Sequence, residues 1–370
     1  MVSFVISQNI NMVELEILGL MSGTSLDGLD IAHVKFTFSE DVKRFKLLNS
    51  KTFNFSATFR EELKNAPNLS ALELIQLDKK IGKEFATHIN SFIEEKELDH
   101  SKIHAIASHG QTIFHQPEKG FTVQIGCGAT IAYHTNIPVV NDFRTMDVVA
   151  GGQGAPLVPK GDFDLFTDQA DAFLNLGGFA NISLKQDNQI IAFDISPANL
   201  PLNEIVQKLG LTYDNDGSLA RSGAINQELF NELNALRFYS QAAPKSLGTE
   251  WLNGEFYPIL EKYSMSEADQ LATISEHIAH QISKVIENLG CKKVLVTGGG
   301  TKNRYLLERI TELTTAQICV PDESISDFKE AIVFAYLGAL FLMDQPNCIS
   351  SVTGAEKSVI GGCLHKVVLN

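Results

Sequence analysis

Apolar and polar positions alternate at residues 16–20 and again at 29–34, and this period of two predicts a pair of strands joined by a polar turn. Alternation returns at residues 45–55. From there to residue 97 the apolar positions fall at helical spacing, so helix is expected over 59–97. Ile103-His104-Ala105-Ile106-Ala107 reads as a buried strand, with further strands at 122–126 and 138–140 and a short apolar helix between them. The pattern then restarts. Residues 172–176 and 179–184 form a second hairpin about Gly177-Gly178, a strand at 190–194 follows, and helix is expected at 202–209. An amphipathic helix over 267–289 feeds a strand at 293–296, with another helix from Arg304. The apolar run at 331–343 is too short to cross a bilayer and is expected to be a buried helix.

Between the two halves, residues 146–164 carry six Gly and Pro residues, and irregular chain crossing from one domain to another is expected there. The predicted class is α/β with two lobes, residues 12–145 plus 335–370 in one and 146–334 in the other. The second hairpin echoes the first in shape, as in a fold built of two similar halves facing each other across a nucleotide cleft.

Composition narrows the partners. The 370 residues are 44% hydrophobic and 20% charged with a net charge of −14, the profile of a soluble globular protein and a poor match to nucleic acid or an anionic membrane. Five scattered cysteines without Cys-x-x-Cys spacing read as reduced thiols rather than a zinc site. No basic and apolar leader opens the chain, so a cytoplasmic protein is expected, starting at Met1 or Met12. A homodimer is left open.

The chemistry concentrates in loops at strand ends. In Leu20-Met21-Ser22-Gly23-Thr24-Ser25-Leu26-Asp27-Gly28-Leu29-Asp30, two glycines free the backbone, Thr24 and Ser25 offer donors to phosphate, and Asp27 or Asp30 suits Mg²⁺ through its waters. A Walker loop would need a helix and a Lys here, and has neither. A plain polar hairpin turn is the other reading. Ser108-His109-Gly110-Gln111-Thr112 follows a buried strand, where an open α/β sheet presents residues to ligand, although His109 alone also fits a structural histidine. Arg144 is either a carboxylate partner or a surface ion pair. Asp194 ends a strand beside a turn, where a carboxylate is held rigidly. The run Thr297-Gly298-Gly299-Gly300 between a strand and a helix lets a flat ring lie on the turn.

Taken together, Met21-Ser22-Gly23-Thr24-Ser25-Leu26-Asp27-Gly28-Leu29-Asp30, Ala107 to His115, Lys245-Ser246-Leu247-Gly248 and the triple glycine resemble the anhydro-N-acetylmuramic acid kinases, of the actin, sugar kinase and Hsp70 fold group. The resemblance runs from about Gly19 onward. It implies an ATP-dependent, Mg²⁺-assisted opening of a 1,6-anhydro sugar with phosphorylation of O6. It also implies roles: ATP at Gly23, Thr24, Ser25, Leu26, Asp27, Gly28, Leu29, Asp30, Gly177, Gly178, Asn181, Gly298, Gly299, Gly300 and Asn303, with Asp27 beside the metal. Sugar would meet Ser108, His109, Gln111, Thr112, Arg144, Asp147 and Asn199. Asp194 would be the base and Glu330, at the start of the last long helix, its helper. The family pattern Asp-Thr-Gly-Pro-Gly-Asn is kept here at Asp194, Pro197 and Asn199 and departs at Ile195, Ser196 and Ala198, and Leu247 stands where Thr is usual. A kinase of another sugar, or a catalytically weak sensor of cell-wall sugars, are the alternatives.

Overall fold

Alternating side chains make the first three strands, β1 (Val13–Met21), β2 (Gly28–Phe38) and β3 (Lys43–Asn54), an antiparallel meander in which β1 and β2 bury both faces, Leu18 and Ile31 on one and Ile17 and Val34 on the other. The computed structural model describes residues 12–23, 26–39, 43–187, 189–243 and 245–367. Thr24 and Ser25 of the first loop therefore lie outside the described residues, as does Pro244.

After β3 come α1 (Ala57–Asn65) and α2 (Ala71–Glu95). Ser70 caps α2 and Glu73 reaches back to it, satisfying amides that the helix start would orphan. Then follow β4 (Ile103–Ser108), the hairpin β5 (Gln111–Gln116) with β6 (Phe121–Ile125), α3 (Gly128–Thr135) and β7 (Val139–Asn141). The Gly/Pro-rich stretch is not irregular throughout. It holds α4 (Thr145–Val149) and α5 (Val158–Leu165), and Pro159 sits in the first turn of α5, where its missing N–H costs nothing.

The second hairpin is β8 (Ala172–Leu176) with β9 (Phe179–Gln186), and β10 (Gln189–Pro197) returns along β9. Helices α6 (Asn199–Gln207), α7 (Ser218–Ser222), α8 (Gln227–Asn234), α9 (Thr249–Trp251), α10 (Tyr257–Leu260) and α11 (Glu267–Leu289) lead to β11 (Lys293–Thr297). The chain ends with α12 (Arg304–Leu313), β12 (Gln317–Cys319), α13 (Glu323–Leu342), α14 (Ser350–Thr353) and β13 (Cys363–His365). No helix among the described residues is long and apolar enough to cross a membrane.

The chain divides into two compact units, 1–166 with 330–370, and 167–329. These boundaries differ from the expected breaks at 145/146 and 334/335 because residues 146–166 pack with the first unit. Asp164 there takes hydrogen bonds from Lys43 at 2.8 Å and Tyr336 at 2.5 Å, and Phe166 meets Phe45 edge-on with ring centroids 5.1 Å apart.

Each unit is built on the same plan. The first sheet runs β13-β7-β4-β1-β2-β3 and the second β10-β9-β8-β11-β12. In both, the first three strands are antiparallel and the next two lie parallel to the first, giving the order 3-2-1-4-5, with β13 added to the first sheet's edge. That duplicated order is the ribonuclease H-like sheet. The echo between the two hairpins is thus a repeated topology.

Candidate active site: two sets of strand-end residues

In the first unit, the loop after β1 leaves the hairpin at the pair Met21 and Asp30. Leu26 takes a positive φ of 58° and its amide donates to Gly23 O at 3.2 Å, and Asp27 is exposed. Gly28, Leu29 and Asp30 already belong to β2. Leu29 points into the core at 0% exposure, and Asp30 Oδ1 accepts from Thr52 Oγ at 2.6 Å.

The segment after β4 is drawn against this loop. The His109 amide donates to Leu20 O at 3.1 Å, and Ser22 Oγ donates to Gln111 Oε1 at 2.6 Å in the interior. Ser108 Oγ is buried and has no hydrogen-bond partner among the described residues. Thr112 lies on the β5–β6 hairpin, within 3.4 Å of Gln124 Nε2.

His109 is buried and accepts from Arg144, which also donates through Nη1 to Gly154 O at 2.7 Å. Burial, reinforced by the Arg144 charge, pushes the imidazole down to about 3, so it stays neutral. Burial likewise lowers Arg144 below its usual range, opposed by the field of Glu330. Glu330 is not at a helix start as expected. It is an exposed residue within α13, seven residues after the first, because the helix begins at Glu323 ahead of the apolar run. Asp147 is fully buried and spends both oxygens internally, on the Gly154 amide at 2.8 Å and on Thr353 Oγ at 2.7 Å.

In the second unit, the strand register lines up polar side chains. Thr297 on β11 is opposite Asn175 on β8, Asn175 is opposite Asn181 on β9, and Asn181 is opposite Asp194 on β10. Paired residues share a face, so these four form a row across the sheet, while Leu174 and Ile182 beside them turn into the core. Asp194 does not end its strand. It precedes a bulge at Ile195, where two residues oppose one on β9, and β10 continues to Pro197. Bulges re-aim side chains, and here the extra residue Ile195 goes to the core.

Asp194 is partly buried. Its Oδ2 accepts from the Leu247 amide at 2.7 Å and its own amide donates to Lys245 O at 3.0 Å. Burial raises its carboxyl above the usual range, and the Leu247 hydrogen bond pulls the other way.

The glycine loops of this unit meet. Asn199, first in α6, donates its amide to Gly177 O at 3.1 Å and Nδ2 to Leu176 O at 3.1 Å, and the Leu200 amide donates to Gly178 O at 3.3 Å. Gly298 adopts φ 91°, and a Cβ on Gly300 would stand 2.6 Å from Leu176 Cβ and 3.1 Å from Asn199 Oδ1. The turn is therefore pressed onto the end of β8 with no side chain on its open face. Asn303 caps α12, its Oδ1 accepting from the Leu306 amide at 3.0 Å. Sequence reasoning missed Asn175 and the backbone of Lys245 and Leu247. Asn175 was legible as a polar residue in an apolar strand, whereas a backbone amide leaves no trace in the residue letters.

The fit to a nucleotide is good in this loop set. A bare turn after β11, followed by the ten-residue helix α12, provides a flat surface and positive dipole end. Among the described residues no group of three or more His, Cys, Asp or Glu is placed to hold a metal, and Mg²⁺ held by phosphate oxygens and water needs none.

Fold and site together define the class of actin-like and sugar-kinase proteins, two ribonuclease H-like units with glycine turns at matching strand ends. Within that class, the chain belongs to the anhydro-N-acetylmuramic acid kinase family, which it matches over residues 15–366. It is 36% identical to an anhydro-N-acetylmuramic acid kinase of Bacillus cereus strain AH187 across 94% of this chain and 98% of that one. A Bacillus anthracis relative of the same description is 34% identical over the same shares. Among solved structures, the activator of the 2-hydroxyisocaproyl-CoA dehydratase from Clostridium difficile with bound ADPNP aligns at a TM-score of 0.43 and 12% identity, over 89% of this chain and 97% of that one. A ROK family glucokinase from Streptomyces griseus in complex with glucose and AMPPNP aligns at 0.38 and 11%, over 87% and 98%.

Proposed function

We propose that this protein opens the 1,6-anhydro ring of anhydro-N-acetylmuramic acid with water and phosphorylates O6, giving N-acetylmuramic acid 6-phosphate and ADP in the cytoplasmic recycling of peptidoglycan. ATP supplies the γ-phosphoryl group. Asp194 takes the proton from the attacking water as its oxygen bonds to C1, the C1–O6 bond breaks, and O6 receives the phosphoryl group. The observation that carries this mechanism is the setting of Asp194: a partly buried carboxylate, raised above its usual range by burial and fixed by the Leu247 amide.

The other roles follow from the chemistry of each place. Asn181, beside the Gly177–Gly178 turn, and the bare turn at Gly298, Gly299 and Gly300 serve the nucleotide, and Asn199 serves the sugar. The turn from Gly23 to Asp27 serves the phosphates, with Asp27 reaching Mg²⁺ through water. Arg144, held flat by His109, pairs with the lactyl carboxylate of the sugar in a fork that lysine lacks. Glu330 is the helper that orients the attacking water or raises Asp194, and its field also favours the charged form of Arg144.

Incubating the protein with ATP, Mg²⁺ and anhydro-N-acetylmuramic acid tests the reading. Sugar-dependent ADP with a phosphorylated, ring-opened product supports it. Turnover with a different sugar alone, or tight sugar binding without ADP, overturns it.

A further inference from the structure

Lys245 and Leu247 grip Asp194 from the open edge of the second sheet. β10 is the edge strand there, and residues 245–248 cover it without regular structure of their own. Main chain on either side of Ser246 thus touches both the amide and the carboxylate of one residue, at 3.0 and 2.7 Å. Such a segment needs an anchor, and the Lys245 side chain provides one. Its ammonium donates to Phe238 O at 3.1 Å and lies 4.4 Å from the centroid of the Phe238 ring. A lysine in a surface loop ordinarily extends its ammonium into water. This one turns inward.

The place it turns to is firm. Phe238 is 4% exposed, and the next residue, Tyr239, meets His277 Nε2 through its hydroxyl at 2.8 Å. His277 is fully buried, and its Nδ1 meets Asn234 Oδ1 at 2.9 Å. The anchor for Lys245 is therefore continuous with the interior of the unit.

We propose that Lys245 is a positioning residue: its ammonium, clamped on Phe238, holds the Leu247 amide against Asp194 Oδ2 and so orients the carboxylate. Its catalytic meaning rests on Asp194 being the base, whereas the hydrogen bond it maintains does not. An N–H donor favours the charged carboxylate and opposes the upward push of burial. Lys284 on α11 is the cation whose field reaches Lys245, and burial with Lys284 lowers the Lys245 ammonium. Loss of the anchor frees the amide, leaves burial unopposed and moves the Asp194 titration upward.

The test compares Lys245→Met, Lys245→Arg and the unaltered protein by the ¹³Cγ titration of Asp194 and by the pH profile of kcat. Lys245→Met is expected to raise the Asp194 midpoint, shift the acid limb of kcat to higher pH, and lower kcat roughly tenfold with each KM within about twofold. Lys245→Arg, which keeps a cation and a donor, restores most of the effect. If Lys245→Met does not fold, Lys245→Gln is read against the same expectations. An Asp194 midpoint unmoved in a folded variant overturns the positioning role. A moved midpoint with an unmoved acid limb supports the positioning role and instead removes Asp194 as the base.

Discussion

His109 Nε2 accepts from two nitrogens of Arg144, Nε at 3.1 Å and Nη2 at 2.9 Å, while His109 Nδ1 lies 2.8 Å from Gly110 O. Arginine only donates, so the ring proton sits on Nδ1 and goes to the carbonyl. The neutral imidazole is thus a fixed acceptor that holds the guanidinium plane. Arg144→Lys keeps the charge and loses the fork, and the KM for sugar is expected to rise roughly tenfold with that for ATP unchanged. His109→Phe leaves Arg144 donors without their acceptor and should destabilise the protein by about 1–3 kcal/mol in chemical denaturation.

Asp194→Asn retains the shape and the Leu247 contact and removes the carboxylate proposed as the base. Turnover should fall by roughly 10²-fold or more with both KM values little changed. Near-normal steady-state turnover would remove Asp194 from the role. With Asp194 as the proposed base, the acid limb of kcat in the unaltered protein is expected above the usual aspartate range, as the pH profile would show.

Gly300→Ala places a Cβ 2.6 Å from Leu176 Cβ and 3.0 Å from its carbonyl oxygen, with nowhere for the backbone neighbour to go. The strain of about 1–3 kcal/mol falls on the turn. A drop of roughly tenfold in ATP affinity is expected in calorimetric titration, at unchanged sugar affinity.

Acid lability has a defined window. Burial holds His109 and His277 neutral to about 3, far below the ordinary 6.5, so between those values the unfolded chain binds protons that the folded chain refuses. Stability therefore rises with pH through that window and is lost as pH falls below 6.5, at about 1.4 kcal/mol per pH unit for each histidine. His277→Gln should flatten the dependence of the denaturation midpoint over pH 4–6.

Asp27→Ala is expected to raise the Mg²⁺ concentration needed for half-maximal turnover several-fold without changing the circular dichroism spectrum. Unchanged kinetics at limiting Mg²⁺ would count against the metal role.

Period-two and helical patterns located most strands and the long amphipathic helix, because those elements bury one face and the pattern records it. Residues 267–289 and 172–176 were read to the residue for that reason. Ends were less legible. Asp194 was read as a terminus because the bulge at Ile195 depends on register with β9, which no local pattern carries. Glu330 was read as a helix start because the polar first turns of α13 resemble a loop. Pro159 was read as a breaker although it opens α5. Asp147 was grouped with the sugar residues as the family resemblance implies, and its internal bonds to Gly154 and Thr353 were not legible because Thr353 is far off in the chain. Asn303 carried the same ambiguity, since the residue type that suits a nucleotide also caps a helix.

Two glycines set how the first unit responds to force. A Cβ on Gly19 of β1 would fall 1.9 Å from Ala331 O, and one on Gly338 would fall 2.5 Å from Ala107 Cβ. Strands β1 and β4 therefore lie directly against helix α13, Gly19 on the Ala331 carbonyl and Gly338 on the Ala107 methyl, with only methyl groups between the backbones. The Met21 end of β1 and the acid at Glu330 consequently travel as a single solid piece, like teeth cut on the same key.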